Sequence, residues 1–219
     1  MILVLGDSFT AGSGLSDYDP NNPPSSLCWA SLVEQKTGTS VDNHAKAGLS
    51  NAEIFDRFLT TYDPGKHTAV IILWSYLTRI YFPDPYNPDQ LITGRPAKPT
   101  NGHGSLNKIL EFYYRYFYSD KVAAFELAGF QQLVHCKAQC PVFHDCIDKT
   151  YINYADIATG INSIEQGNSC SFTSLWEKLG KKVGSQGHHY SEQTHQVWAE
   201  DYVVPRLQQV IGLAPNHKY

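Results

Sequence analysis

The sequence carries little charge, and its small excess is acidic. Its 219 residues include 17 lysines and arginines against 21 aspartates and glutamates, which gives a formal net charge of -4. Such a chain has no basic field that could hold a nucleic acid or an anionic lipid surface. We therefore expect neither nucleic acid nor membrane among its partners.

Long apolar runs and an export signal are also missing. The longest uninterrupted apolar run is Ala69–Trp74, far shorter than the ~20 residues that span a bilayer. From Met1 the chain passes through four apolar residues directly to Gly6, with neither a basic flank nor a cleavage site. These absences predict a cytoplasmic or virion-associated protein without a secretory signal.

The cysteines are few and odd in number, so at least one of them cannot pair within the chain. We predict that they are reduced thiols: Cys28, Cys136, Cys140, Cys146 and Cys170. Three of them lie with His135 and His144 within twelve residues, a density that would also suit zinc. The spacing does not match the common zinc fingers, and Val142-Phe143 is typical of a strand core. We predict buried thiols on a strand, with no metal and no cofactor, and keep zinc as the alternative.

What the sequence does contain is an alternation of apolar runs with helical spacing. The predicted strands are 2–5 and 69–74, with weaker candidates at 40–43 and 141–144. Helical spacing covers the segments 29–36, 52–59, 106–118 and 194–211. Strands that alternate with helices predict a layered α/β fold, and the length suits one domain over residues 1–219.

A proline-rich insertion interrupts this alternation at about residues 82–105. It holds five of the twelve prolines and lacks periodicity, so we predict a long loop, either a lid or binding loop or a disordered insertion. The aromatic segment from Phe112 to Tyr118 follows it. We expect the insertion and this segment to frame the cleft.

The first strand leads directly into Gly6-Asp7-Ser8-Phe9-Thr10-Ala11-Gly12. This places Ser8 on a tight turn at the carboxyl end of a central strand, the edge where open α/β sheets bind ligands. Backbone N–H groups of such a turn can stabilise an oxyanion. Taken alone, however, Gly-Asp-Ser is explained much better as a helix N-cap.

The segment from Leu3 to Gly12 resembles block I of the GDSL, or SGNH, hydrolase family. The resemblance implies that Ser8 is the nucleophile and that its N–H is an oxyanion donor. The segment from Asn43 to Asn51 resembles the second block, which implies that Gly48 supplies another oxyanion N–H. Over most of the chain the resemblance implies a three-layer α/β/α sandwich with a mostly parallel, flavodoxin-like sheet.

The third block departs from the family's Gly-x-Asn-Asp. The run from Trp74 through Ser75 to Arg79 resembles instead a Trp-Ser/Thr-x-x-x-Arg variant from a bacteriophage-rich branch. On this resemblance Ser75 replaces the asparagine as the third oxyanion donor. Arg79 either assists at the site or binds a surface carboxylate, and Asp7 joins Arg79 as a candidate contact for the substrate.

The run from Gly187 to Ala199 resembles the family's histidine region. The resemblance implies that His189 is the catalytic base, with His188 as the neighbouring alternative and a candidate substrate contact. His195 is interpreted as a packing or capping histidine. No carboxylate stands two or three residues before His189, so Gln186 or a backbone carbonyl is the candidate that orients its ring. An acid from elsewhere in the chain is the alternative.

These residues predict a serine esterase or deacetylase that works through a Ser-His dyad or an incomplete triad. The expected substrate is an O-acylated carbohydrate or a small ester. Two alternatives stay open: a non-catalytic glycan-binding module on a hydrolase scaffold, and an O-acyltransferase.

Overall fold

The fold is built on a parallel sheet of four strands. The computed structural model describes residues 1–83, 91–94, 104–147, 175, 177–180 and 189–212. Strands β1 (Ile2–Gly6), β2 (Val41–Asn43), β3 (Ala69–Trp74) and β6 (Val142–Cys146) lie in the order β2-β1-β3-β6, and every neighbouring pair is parallel. Strands β1 and β3 are buried along their whole length because helices cover both faces of the sheet.

Two helical layers sandwich this sheet. One face packs on α2 (Trp29–Thr37) and on the C-terminal helical segment, which comprises α6 (Glu192–Val197), a π-helix (Trp198–Val203) and α7 (Val204–Ile211). The other face packs on α3 (Asn51–Thr61) and α5 (Asp120–Lys137). The three-layer α/β/α sandwich with a parallel sheet is therefore confirmed.

Local sequence signals set several helix ends. Ser50 accepts a hydrogen bond from the N–H of Glu53, whose side chain accepts in return from the N–H of Ser50. The spacing of Ser50-Asn51-Ala52-Glu53 predicts this capping box and a helix that starts there, and α3 does begin at Asn51, one residue earlier than its apolar spacing alone predicts. In the C-terminal segment, Pro205 has no N–H to donate to the preceding turn, and the π-helix ends two residues before it, at Val203.

The prediction of a long loop at about residues 82–105 is wrong in part. Strands β4 (Ile80–Pro83) and β5 (Leu91–Gly94) form an antiparallel pair, and α4 (Gly104–Tyr116) begins before the predicted segment ends. Proline is tolerated at the end of a two-stranded pair, where its missing N–H breaks no central ladder. The rest of the insertion lies outside the described residues.

Helix α5 is absent from the sequence-based prediction. Its apolar residues surround the whole helix, since Val122, Phe125 and Leu133 are exposed while Leu127 and Val134 are buried. A helix that is apolar on all sides lacks the one-sided stripe from which periodicity is read. Within the described residues, no helix combines the length and apolarity that crossing a membrane requires.

Candidate active site

The candidate nucleophile lies at the point where the sheet connections change direction. The helix after β1 packs on one face of the sheet and the helix after β2 on the other, so the carboxyl ends of β1 and β3 flank a topological switch point. Ser8 opens the one-turn helix α1 (Ser8–Ala11) at this point, and its residue surface is only 4% exposed. The loop after β2 continues along β1, with the Lys46 N–H donating to the Gly6 carbonyl at 3.2 Å.

Asp7 holds the turn that carries Ser8. Its carboxylate accepts from the Phe9 N–H at 3.0 Å, from the Ser75 hydroxyl at 2.7 Å and from Arg79 Nη1 at 2.5 Å. Asp7 has no exposed surface in this arrangement, and its expected contact with a substrate stays a prediction. The carboxylate caps α1 and joins it to the loop after β3.

Ser75 also has a different role from the one expected. Its hydroxyl carries a single hydrogen, which it donates to Asp7, and the residue is fully buried. The oxyanion role that the resemblance implied for this hydroxyl is therefore not available in this arrangement. The backbone of Ser75 is held as well, because its N–H donates to Asn51 Oδ1 at 2.7 Å and its carbonyl accepts from Asn51 Nδ2 at 3.3 Å.

Arg79 joins the three loops at the carboxyl edge. Besides Asp7, its Nη1 donates to the Leu49 carbonyl at 3.1 Å, next to the predicted oxyanion glycine Gly48. Its guanidinium lies 5.3 Å from the ring centroid of Tyr76, and its side chain is 5% exposed. Arg79 therefore binds a buried carboxylate and not a surface one.

Gly48 lies in the loop between β2 and α3, two residues before the N-cap of that helix. Its φ of 90° falls in the left-handed region that favours glycine. Because Arg79 holds the neighbouring Leu49 carbonyl, the position of this loop depends on the Asp7–Arg79 ion pair.

His189 reaches the serine turn from the far end of the chain. Its ring lies 5.1 Å from that of Phe9, the residue after Ser8, and the ring of Tyr190 lies 4.6 Å from the same phenylalanine. Gly14, with φ 91°, lies so close that a Cβ there would come within 2.9 Å of the His189 Cβ.

His195 is a capping residue, which confirms its interpretation from the sequence. Its Nδ1 accepts from the N–H of Trp29 at 3.1 Å, at the start of α2, where Cys28 supplies no side-chain cap. Burial and the nearby His189 lower the pKa of His195 to about 3. The ring is therefore neutral at pH 7 and serves as an acceptor.

Asp145 is a carboxylate at this edge that sequence reasoning missed. It lies near the end of β6 in register with Leu73, and it is 8% exposed. Its neighbours at two-residue spacing, Phe143 and Ile147, pack in the layer that contains Tyr190, so Asp145 faces the same layer. Its Oδ1 accepts from the Cys146 N–H at 2.7 Å.

Glu192, one of the acids nearest to His189 in sequence, lies at the surface and accepts from the Ser16 hydroxyl at 2.5 Å. The candidate ring orienter Gln186 and the alternative histidine His188 lie outside the described residues. Their predicted roles stay predictions.

The cysteine and histidine cluster is spread over helix α5, the loop after it and strand β6. His144 Nδ1 accepts from Trp74 Nε1 at 3.0 Å, Cys146 lies near the Ser75 carbonyl, and Cys140 lies near the Tyr62 hydroxyl. Among the residues that the structure describes, no group of three histidine, cysteine or acidic side chains is arranged to hold a metal ion. The four cysteines among the described residues carry reduced thiols: Cys28, Cys136, Cys140 and Cys146.

Comparison with known proteins gives a fold but no sequence family. No family model and no curated protein matches the sequence. Solved structures do match, among them a lipolytic protein of the G-D-S-L family from Desulfitobacterium hafniense DCB-2, at 13% identity and TM-score 0.52 over 91% of this chain and 95% of that chain. The chain has the fold of the SGNH hydrolases.

Two further structures with the SGNH-hydrolase fold illustrate its range. A lipase/acylhydrolase from Enterococcus faecalis matches at 12% identity and TM-score 0.56, over 99% of this chain and 98% of that chain. A family two carbohydrate esterase from Clostridium thermocellum, in complex with cellohexaose, matches at 14% identity and TM-score 0.51. The match covers 97% of this chain and 65% of that chain. The resemblance of the third block to a bacteriophage-rich branch stays a prediction.

Proposed function

We propose that this chain is a serine esterase in which Ser8 is the nucleophile and His189 the general base. The observation that carries the proposal is the contact between two segments 180 residues apart in the chain. Phe9, which follows Ser8, packs on His189 at a centroid distance of 5.1 Å. Ser8 also lies at the ligand-binding edge of the sheet, on a turn held by a buried carboxylate.

In the proposed reaction the Ser8 oxygen attacks the ester carbonyl carbon while His189 accepts the hydroxyl proton. The tetrahedral intermediate collapses, the bond to the alcohol oxygen breaks, and the alcohol leaves with the proton from His189. Water then attacks the acyl-enzyme in the same way and releases the carboxylic acid and free Ser8.

The proposed oxyanion donors are the backbone N–H groups of Ser8 and Gly48. Ser75 acts as a positioning residue in this proposal, since its hydroxyl is donated to Asp7. The Asp7–Arg79 pair holds the turn before Ser8 and the loop beside Gly48 in one arrangement. Preorganised donors of this kind stabilise the charge that develops on the carbonyl oxygen.

For the acid we propose that Ser8 and His189 work as a dyad or as an incomplete triad. Asp145 provides the test, because it is a buried carboxylate in the same layer and at the same edge. Asp145→Asn should keep activity within about tenfold of wild type. A loss near the ~10⁴-fold that follows loss of a triad aspartate would contradict the dyad and assign the acid to Asp145.

The proposed substrate is an O-acylated carbohydrate or a small ester. Both the carbohydrate esterase and the lipase/acylhydrolase with this fold support an ester substrate.

A serine-reactive fluorophosphonate tests the nucleophile directly. Wild-type protein should be labelled, and Ser8→Ala should not. Ser13→Ala is the matched control, because Ser13 is a buried serine just beyond the same turn and should leave labelling intact. Equal labelling of Ser8→Ala and wild type would refute the assignment, whereas an unlabelled, inert wild type would favour the non-catalytic binding module.

A further inference from the structure

We propose that the cavity between α3, α4 and α5 binds the acyl group of the substrate, and that this acyl group is apolar and larger than acetyl. The inference rests on the proposed esterase function and defines the acyl side of its substrate.

The cavity has a volume of about 400 Å³ and mostly apolar walls. Its walls come from the start of α3, the loop after β3, helix α4 and helix α5, and they include Leu77, Leu110, Tyr113, Leu127 and Phe130. This volume lies in the range of pockets that enclose small organic ligands, roughly 300–1,000 Å³. An acetyl group would leave most of it unfilled.

The cavity shares residues with the network that holds the serine turn. Asn51 and Arg79 line it. Asn51 makes two hydrogen bonds with the backbone of Ser75, and Arg79 binds Asp7, the residue before Ser8. Arg79 therefore contacts both the cavity and Asp7, the residue next to the proposed nucleophile.

The cavity and the proposed base lie on opposite faces of the sheet. The cavity belongs to the layer of α3 and α5, whereas Tyr190, which follows His189, packs in the layer of α2 and α7. Since the base returns its proton to the alcohol, the leaving group has to lie on the side of His189. The acyl group then points to the other side, where the cavity is.

The mouth of the cavity is also apolar, because Ile109, Phe117 and Val122 line it and are each more than 60% exposed. In the described part of the chain, seven of the ten exposed large hydrophobic residues lie on α4, α5 or the turn between them. Exposed apolar patches of this kind mark binding sites. The predicted role of the aromatic segment from Phe112 to Tyr118 in framing a cleft agrees with this position.

A series of p-nitrophenyl esters from acetate to decanoate tests the proposal in the wild-type protein. Each buried methylene adds about fourfold to binding, so kcat/KM should rise by up to about that factor per methylene until the cavity is filled. The readout is the ratio of kcat/KM for decanoate to that for acetate, because the fraction of folded protein cancels in this ratio.

Two pairs of variants locate the effect. Ala123→Trp fills the cavity and should lower the ratio at least tenfold, whereas Gln132→Trp adds the same side chain at an exposed position on the same helix, outside the cavity. Ile109→Asp places a charge at the exposed mouth and should also lower the ratio. Leu133→Asp is its control, since Leu133 is exposed and lies outside the cavity wall.

If the wild-type ratio of kcat/KM for decanoate to that for acetate is near or below one, the cavity does not bind the acyl group. The esterase proposal would stay intact. If the wild-type ratio is high but Ala123→Trp and Ile109→Asp both leave it unchanged, the acyl pocket is overturned as well. If no ester is hydrolysed and the fluorophosphonate does not label Ser8, the esterase proposal fails and the acyl pocket fails with it.

Discussion

The buried ion pair between Asp7 and Arg79 should be essential for both stability and turnover. Arg79→Met removes the cation and keeps much of its apolar stem. Asp7 then stays fully buried, with only the Phe9 N–H and the Ser75 hydroxyl as partners. Removal of one member of a buried pair costs about 3–5 kcal/mol, because the other charge is left without compensation.

Solvent screening does not reduce this figure, since the two side chains are 5% and 0% exposed. For a chain of this length, a loss of about 3 kcal/mol corresponds to a fall in Tm of roughly 6–12 °C. The Leu49 carbonyl also loses its donor, so the loop of Gly48 moves relative to Ser8. A misplacement near 1 Å can cost about a hundredfold in turnover.

Urea denaturation at pH 7 and ester hydrolysis measure the two effects. Arg115→Met is the matched control, because Arg115 makes an exposed pair with Glu111 that is worth only about 0.5 kcal/mol. Asp7→Asn combined with Arg79→Met removes both charges and should be more stable than Arg79→Met alone. If Arg79→Met loses no more stability than Arg115→Met, the assignment of Asp7 and Arg79 as a buried structural pair is refuted.

Two further predictions follow from the histidines. Burial lowers the pKa of His195 to about 3, so its contribution to stability is complete above the ordinary pKa of 6.5 and falls by roughly 2–3 kcal/mol as the pH drops to 4.5. His195→Gln should flatten the loss of stability between pH 7 and 4.5 in urea titrations, and an unchanged slope would contradict this. Gly14→Ala should lower kcat at least tenfold, since its Cβ would meet His189 and its φ of 91° strains alanine. Gly129→Ala, where a Cβ meets nothing within 4 Å, should leave kcat unchanged, and equal kcat in both variants would show that the approach of Gly14 does not position His189.

Signals contained in a few consecutive residues were sufficient for much of the fold. Strands β1 and β3 are apolar runs because helices cover them on both sides, and their residue types show this directly. The capping box at Ser50 and the turn at Gly6-Asp7-Ser8 depend on neighbours within three residues. Helix α5 was not predicted, because its exposed apolar side chains, including Phe125, leave no one-sided apolar pattern in the sequence.

The roles of side chains at the site were decided by contacts that no local pattern contains. Ser75 follows a buried strand, a position from which its hydroxyl could have faced the cleft. It faces Asp7 instead, because a fully buried carboxylate requires donors and Ser75 and Arg79 lie within reach. These partners are separated from Asp7 by 68 and 72 residues.

The same holds for the approach of Gly14 to His189 and for the position of Asp145 at the carboxyl edge. Each depends on which strands lie side by side and on which helical layer covers them. The sequence by itself therefore determined the class of fold and the position of the serine turn, since both follow from local patterns. Only the tertiary structure decided which polar groups hold that turn, because their partners come together only when the strands pair.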